Sequence, residues 1–491
     1  MLNQLQDVTA AHQTNGKTWA KALVQPAQEF GPTKLPVLAG AIPEGLQGSL
    51  YRNGPARLTR GSQQVGHWFD GDGAILRVHF TNSGATGVYR YVQTAGYQTE
   101  EQAGELRWGG YGMLPPGAVW ERFRQPLKNA ANTSVLALPD KLLALWEGGQ
   151  PHALDLQTLE TFGLDDLQGL EDNLSYSAHP KRDPQTGEIF NFGVTLGREN
   201  LLQIYRSDRT GRIQVKAAIP LEGTPLIHDF VLAGPYLVFL IPPVRMQPLP
   251  VLLKLKSFSD ALTWKPEKGT QVMVIDRETL TVVSRSEAPP WFQWHFGNGY
   301  VDQDGNVVSD LVRYEDFQTN QFLKEVATGH TQTSAKGTLW RLRINPQSGN
   351  ISHLEQVLDR SCEFPVVNPQ EVGQANRYTY LSIHPVGVDI AQELFGAIAR
   401  FDYQTNSLTE ANLGNQCYPM EPIYAPDAHN PRRGWIITVV FDSAGKAFQS
   451  ENHNCSEVWI FDAEHLDDSP VCRLGLPSVI PLGFHGTWSS A

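Results

Sequence analysis

Charge is scarce in this chain. Asp, Glu, Lys and Arg make up only 18% of its 491 residues, and 39 basic against 51 acidic side chains leave a net charge of −12. No basic tract stands out, which argues against a nucleic-acid partner. Cysteine is scarcer still. Cys362, Cys417, Cys455 and Cys472 are the whole set, and no two share a Cys-x-x-Cys spacing. That argues against structural zinc and a disulfide scaffold, and it fits buried thiols in a reducing compartment. No run of about 18 apolar residues is present to span a bilayer. The closest approach, residues 232–255, is broken by Pro235, Pro242, Pro243, Pro248 and Pro250. Roughly the first 20 residues are polar and lack the apolar segment of a signal peptide. These absences predict a cytoplasmic protein. Helical periodicity is thin too: short helices are expected only near 18–23, at 118–128 and near 390–394.

What the chain has instead is turn formers and strand-like runs. It carries 44 Gly and 33 Pro. Apolar, β-branched runs fall at 87–94, 135–146, 201–207, 236–241, 271–275, 339–344, 378–383, 435–441 and 458–462. Turn clusters separate them: Asp183-Pro-Gln-Thr-Gly187, Asp208-Arg-Thr-Gly211, Asp302-Gln-Asp-Gly305 and Asn345-Pro-Gln-Ser-Gly349. The last two have the composition of hairpin tips. The expected class is all-β. Strands at near-regular spacing over such a length fit a β-propeller better than a sandwich. At roughly 40–70 residues per blade, six to eight blades consume the chain. No linker divides it and no tight repeat is visible. The expected organisation is a polar N-terminal segment, residues 1–25, and one propeller domain, residues 26–491.

Four histidines stand beside strand-like runs in apolar, Gly or Pro contexts: His179 in Ser-Ala-His-Pro, His228 in Ile-His-Asp-Phe, His295 in Trp-His-Phe-Gly-Asn, and His485 in Gly-Phe-His-Gly-Thr-Trp. They are 49, 67 and 190 residues apart. No two can share a helix turn, so a common site needs a fold that gathers distant strands. The axis of a propeller does that. Imidazole is the commonest metal ligand near neutral pH, and four of them make an all-nitrogen site for a transition metal. Glu147, Glu363 and Glu421 also sit in apolar stretches. A lone carboxylate there is costly to ionise. A ligand histidine, however, needs an acceptor for its second ring N–H, and a carboxylate supplies one.

Several motifs together resemble the carotenoid cleavage oxygenases. They are Tyr51-Arg-Asn-Gly-Pro55, Phe69-Asp-Gly-Asp-Gly73, Leu145-Trp-Glu-Gly-Gly-Gln-Pro-His152, Ser177-Ala-His-Pro180, Ile227-His-Asp-Phe230, Glu363-Phe-Pro365, Glu421-Pro-Ile-Tyr424 and Gly483-Phe-His-Gly-Thr-Trp488, in family order. Residues 142–152 with Gly163-Leu-Asp-Asp-Leu167 look most like the cyanobacterial apocarotenoid oxygenases. The resemblance implies a seven-bladed propeller, capped by loops and helices, with non-haem Fe(II) on its axis. It implies His179, His228, His295 and His485 as ligands. Glu147, Glu363 and Glu421 would hold His228, His295 and His485, leaving His179 without a carboxylate. It also implies that the methyl group of Thr133 crowds one open position on the metal. One departure stands out. The family has two adjacent histidines at the third motif; here Phe296 follows His295, while Asn298 and Tyr300 remain in register.

Splitting a conjugated C=C bond into two carbonyls requires O₂, and zinc has no redox states to offer. The expected activity is therefore an iron-dependent dioxygenase reaction with no acid or base side chain. An apocarotenoid cut at its 15,15′ bond to give retinal is the expected substrate. Eccentric cleavage of full-length carotenoids, stilbene cleavage, and a propeller that binds carotenoid without cleaving it stay open. Phe69, Trp146, Trp294 and Phe296 are the expected tunnel residues by adjacency. Carotenoids live in bilayers, so a monomer with peripheral membrane contact is expected. The expected patch is Val244, Met246, Leu249, Val251, Leu252 and Leu253, with Arg245 and Lys254 reaching toward headgroups.

Overall fold

Turn chemistry repeats at the outer edge of successive sheets. In the computed structural model, which describes residues 17–430, 432–444 and 455–490, an Asx residue caps the same kind of outer-edge hairpin in four sheets, and Asp183 caps an inner one in a fifth. Asp155, Asp276, Asn345 and Asp402 each accept a backbone N–H two residues on through the side-chain oxygen. Thr158, Thr279, Ser348 and Thr405 come three residues after them. The fifth residue takes positive φ in every case: Leu159, Leu280, Gly349 and Asn406. These hairpins join the third and fourth strands of four sheets. All four turn clusters read from the sequence are hairpin tips, two more than their composition predicts.

The sheets are seven blades of a β-propeller. The first holds Gly48–Arg57, Asp72–Thr81 and Gly84–Tyr91; the second runs from Ser134–Ala137 to Thr161–Leu164; the third from Lys181–Arg182 to Ile213–Pro220. The fourth runs from Val231–Ala233 to Val282–Ala288, the fifth from Phe292–Val301 to Ile351–Leu358, and the sixth from Cys362–Val366 to Ser407–Ala411. Gly434–Asp442, Cys455–Asp462 and Cys472–Gly475 make the outer part of the seventh, with Cys417–Pro419 and Ile423–Pro426 inside. Both ends of the chain close the ring. Phe30–Lys34 edges the first blade, Val37–Gly40 edges the seventh, and Gly486–Ser490 forms the innermost strand of the first. Apolar side chains on facing blades fill the spaces between them, as Phe190, Phe192, Phe230 and Phe239 do between the third and fourth.

Some expectations are corrected. The run 135–146 is a tight hairpin, Ser134–Ala137 with Leu142–Leu145, turned at Pro139-Asp140. The helix expected at 118–128 shortens to Val119–Arg122, and residues 390–394 are not helical. Ala95–Ala103 and Gln318–Val326 are helices that the sequence did not announce. A boundary at residue 25 does not match the packing: Trp19, Ala20, Ala22 and Leu23 are buried in the main core. Residues 1–16 lie outside the described part. The short helices Pro248–Leu252 and Gln318–Val326 sit on loops over the axial cavity, and Arg122 of the helix Val119–Arg122 donates to the Lys254 carbonyl just after the first of them.

Candidate metal centre

Every blade sends a residue of interest to the axis. His485 precedes the inner strand of the first blade, Thr133 precedes that of the second, and Glu147 follows the second's next strand. His179 and His228 precede the inner strands of the third and fourth, and His295 lies within that of the fifth. Glu363 sits in the inner strand of the sixth, and Glu421 lies between two short inner strands of the seventh. The inner strands of the fourth, fifth and sixth blades touch in turn, as do those of the seventh, first and second. Residues far apart in the chain therefore converge, although no local pattern links them.

The four imidazoles form a tight cluster. Ring centroids are 4.3 Å apart for His179 and His228, 4.8 Å for His179 and His485, 4.7 Å for His295 and His485, and 5.1 Å for His228 and His295. Nε2 of His228 faces Nε2 of His295 at 3.3 Å. The other nitrogens point outward to carboxylates. His295 Nδ1 meets Glu363 Oε2 at 2.6 Å, His485 Nδ1 meets Glu421 Oε1 at 2.9 Å, and His228 Nδ1 lies against Glu147 Oε1. His179 has no such partner; its Nε2 is buried without a hydrogen bond, 4.0 Å from Glu147 Oε1. Nitrogen atoms of His179, His295 and His485 lie within 4.8 Å of one another. Inward-facing nitrogens that meet only one another or, at His179 Nε2, no hydrogen-bond partner, on rings three of which are fixed from outside by carboxylates, fit a transition metal. Ferrous iron is one that such a donor set accommodates.

Electrostatics agrees with neutral ligands. Burial, then the neighbouring imidazoles, hold His179 and His295 well below the usual histidine range. Burial also pushes the Glu363 carboxyl up to about 7, against hydrogen bonds from Phe364 N and the Tyr314 hydroxyl. Glu421 goes the other way. Burial opposes its ionisation, but His485 and the Arg52 guanidinium outweigh that and lower its pKa. Arg52 itself is buried and donates to the carbonyls of Glu421 and Phe484, tying together the two loops that carry Glu421 and His485.

A cavity of about 700 Å³ opens onto the cluster. Phe69, Trp146 and Trp294 line it, as does Thr133, whose hydroxyl donates to Asn132 Oδ1 at 3.1 Å. Phe296 does not line it. The pairing of its strand slips on both sides of Phe296, which lets Trp294 and His295 both face the axis while Phe296 turns into the blade. There it packs with Trp291, Val231 and Leu311, its N–H held by Asp229 Oδ2. The membrane patch is corrected in the same way. Val244 and Met246 are buried, because Val244–Met246 pairs with Leu262–Trp264. Arg245 is buried too, donating to the Pro242 and Val244 carbonyls. Leu249, Leu252 and Leu253 are exposed, Leu249 and Leu252 by 65% and 69%, and Val251 is half-buried.

Sequence reading missed Tyr314, Phe364 and Arg52. Phe364 and Arg52 lie inside the quoted motifs Glu363-Phe-Pro365 and Tyr51-Arg-Asn-Gly-Pro55, so their positions were marked, though not their roles. Tyr314, which donates to Glu363 Oε1 at 3.0 Å, carried no signal, since it ends an ordinary strand.

Comparison with known proteins fits this geometry. The family described as "Retinal pigment epithelial membrane protein" matches residues 24–490. The chain is 31% identical over 464 residues to apocarotenoid-15,15′-oxygenase of Synechocystis sp., covering 92% of each. It is 27% identical to resveratrol cleavage oxygenase 1 of Aspergillus fumigatus, covering 91% of each. Among solved structures, cobalt-substituted apocarotenoid oxygenase of Synechocystis superposes with a TM-score of 0.85 at 29% identity, covering 96% of this chain and 98% of that one.

Proposed function

Since the chain belongs to the family of retinal pigment epithelial membrane protein and the carotenoid cleavage oxygenases, we propose that it cleaves a conjugated C=C bond of an apocarotenoid, using Fe(II) and O₂. One oxygen atom goes to each carbon of the broken bond, giving two carbonyl products. The 15,15′ bond, with retinal as one product, is the site favoured by the likeness to the Synechocystis oxygenase. One observation carries the reading: in a cluster of four imidazoles, the three oriented by buried or half-buried carboxylates, His228, His295 and His485, stand in the wall of a mostly apolar cavity, with His179 packed against them.

Iron bound by His179, His228, His295 and His485 would supply the activation of O₂ that no side chain can provide. The protein's own part is to bind, orient and keep water out. Glu147, Glu363 and Glu421 fix the ring angles and tautomers of three imidazoles. Thr133 lines the cavity with its hydroxyl turned to Asn132 and its carbonyl accepting from His485 N, and its methyl group would limit the space beside a bound metal.

The cavity wall favours a polyene over a phenolic stilbene. Among the described residues, no Lys or Arg lines it. Its lining is mostly apolar, and two carboxylates in it, Glu147 and Glu363, are turned to His228 and His295.

The mouth supports contact with a membrane. Leu127, Leu196 and Leu252 both line the cavity and face solvent. Val119, Trp120, Phe123, Leu249, Leu253 and Leu255 extend the exposed apolar surface. Arg122 donates to the Lys254 carbonyl and joins its two halves. No described helix is long and apolar enough to cross a bilayer. We read the protein as a monomer that touches a bilayer peripherally and draws substrate from it.

The test is metal analysis with product analysis. Wild-type protein is expected to hold one iron and to convert β-apo-8′-carotenal to retinal. His485→Ala is expected to lose both properties. Full iron and full activity in His485→Ala would refute the ligand set, and absence of iron from the wild type would refute the activity.

A further inference from the structure

Phe364 is the strained residue of the cavity wall. Its φ is +54°, in the left-handed region that bulky side chains avoid. It also precedes Pro365, which restricts it further. The pairing of Cys362–Val366 with Tyr378–Ile383 slips between Glu363 and Val366, and bulges of this kind re-aim side chains beside functional sites. Phe364 N donates to Glu363 Oε2 at 2.7 Å, the same oxygen that meets His295 Nδ1. Its ring lies stacked 5.5 Å from His295 and edge-on 5.4 Å from His485. Such a conformation persists only where the surroundings over-determine it.

The ring has a second neighbour, away from the cluster. Phe395 is 6.4 Å away and is backed by His384, whose ring is pinned by Ser361 and the Glu393 carbonyl. Leu394, Phe395 and Tyr418 line the cavity, and the Tyr418 hydroxyl donates to Glu393 at 3.1 Å. The lining therefore runs from the imidazoles through Phe364 and Phe395, and takes in the buried Tyr418. A different run of rings leaves the cluster from His228, through Trp294, Phe69 and Tyr111 to Phe258, each in contact with the next. The lining thus leaves the imidazoles in two directions, which we read as an inner and an outer arm of the cavity. Phe364 stands where the inner arm begins.

A rod-like substrate across the cluster places part of its length in each arm. The bond that faces the cluster depends on how far the rod enters the inner arm. We propose that Phe364 is a specificity-determining residue whose clamped ring, with Phe395 behind it, sets that depth and so selects which double bond of a linear apolar polyene is broken. This rests on the reading of the chain as a polyene-cleaving oxygenase. The chemistry does not change with depth: one O₂ still gives two carbonyls. A change of depth appears as a product pair with the same total carbon count, divided at a different bond.

The experiment uses full-length protein: wild type, Phe364→Ala, Phe364→Leu and Phe395→Ala. Iron-loaded protein is given β-apocarotenals of several chain lengths and the products are resolved by chromatography. Metal-free protein is titrated with the same compounds, read by quenching of tryptophan fluorescence. Wild type is expected to give one product pair and to prefer one length. Phe364→Ala is expected to add a pair from a neighbouring bond and to flatten the length preference of the metal-free protein by about tenfold. Phe395→Ala should move both readouts the same way, and Phe364→Leu, which keeps bulk, should keep the wild-type bond. If Phe364→Ala fails to hold iron, its metal-free titration and Phe395→Ala decide. An unchanged bond with unchanged length preference in both alanine variants overturns the inference. A wild type that neither binds nor cleaves apocarotenals overturns the functional reading instead.

Discussion

Glu363 and Glu421 do the same job in different electrical surroundings. Arg52 stands beside Glu421 and helps keep it ionised, whereas Glu363 has only Tyr314 and a backbone N–H. Replacing Glu363 by Gln is therefore expected to lower iron affinity by about 10–100-fold, the usual effect of losing an outer partner; a competition titration with a chelator reads it, and unchanged affinity would deny Glu363 its orienting part. Other buried groups set the response to acid. Burial holds His67 down at about 3 and His152 and His384 at about 4. The unfolded chain protonates these rings near 6.5, before the folded one does, so their stability is full above 6.5 and is lost as pH falls toward 4. Asp70 opposes them. Burial pushes it up to about 7, so the folded state holds its proton longer and Asp70 stabilises on the acid side. In metal-free protein Glu363 acts with Asp70, and His179 and His295 act with the three rings, so the histidines outnumber the carboxyls and leave a net loss in acid, on the order of 1–2 kcal/mol per ring by about pH 5. Thermal melts of metal-free protein should drop below about pH 6.5, and more steeply in Asp70→Asn; melting temperatures that stay level on acidification would rule this out. The histidines and glutamates were legible in sequence because polar groups in apolar stretches need a reason. Tyr314 was not, because its role exists only once two distant strands meet.

At the scale of elements, strands were legible and helices were not. Residues 201–207, 236–241 and 378–383 are strands to the residue. Gln318–Val326 went unseen because only Phe322, Leu323 and Val326 give it an apolar face, and Ala95–Ala103 because its interior is polar. The recurring Asx-x-x-Ser/Thr turn was visible in principle, but two of its left-handed positions are Leu159 and Leu280, where glycine would be looked for. The apolar stretch 244–255 divides into a buried strand and an exposed helix because Val244–Met246 finds a partner strand while Pro248–Leu252 finds none. The exposed part carries the expected membrane contact. Leu252→Asp with Leu253→Asp should lower binding to neutral phospholipid vesicles at least tenfold, since burying one leucine is worth about 1.5–3 kcal/mol. Flotation reads this directly, and equal recovery of variant and wild type with the vesicles would remove the membrane from the account. Trp120→Asp, on the neighbouring helix, should act in the same direction.

For the whole molecule, the site depends on ring closure, and closure was the least legible feature. Chain length allowed six to eight blades, and the resemblance implied seven. Nothing local says that residues 48–52 pair with residues 486–490, which they do in register from Gly48 with Ser490 to Arg52 with Gly486. That pairing does more than complete a sheet. Asn53 N donates to the His485 carbonyl, His485 N donates to the Thr133 carbonyl, and Gly486 N donates to Glu421 Oε2. The strand thus fixes His485 against the second and seventh blades together. Deleting residues 486–491 leaves all four histidines in the chain but removes the strand that aims one of them. The expected result is loss of most bound iron and a lower melting temperature. His485→Ala should differ, losing iron while keeping the closed ring and a melting temperature near that of metal-free wild type. Metal analysis and calorimetry on the pair separate ligand from closure. A truncated protein that keeps both its iron and its wild-type melting temperature would show that the ring holds without its last strand, and that His485 is aimed by the loop alone.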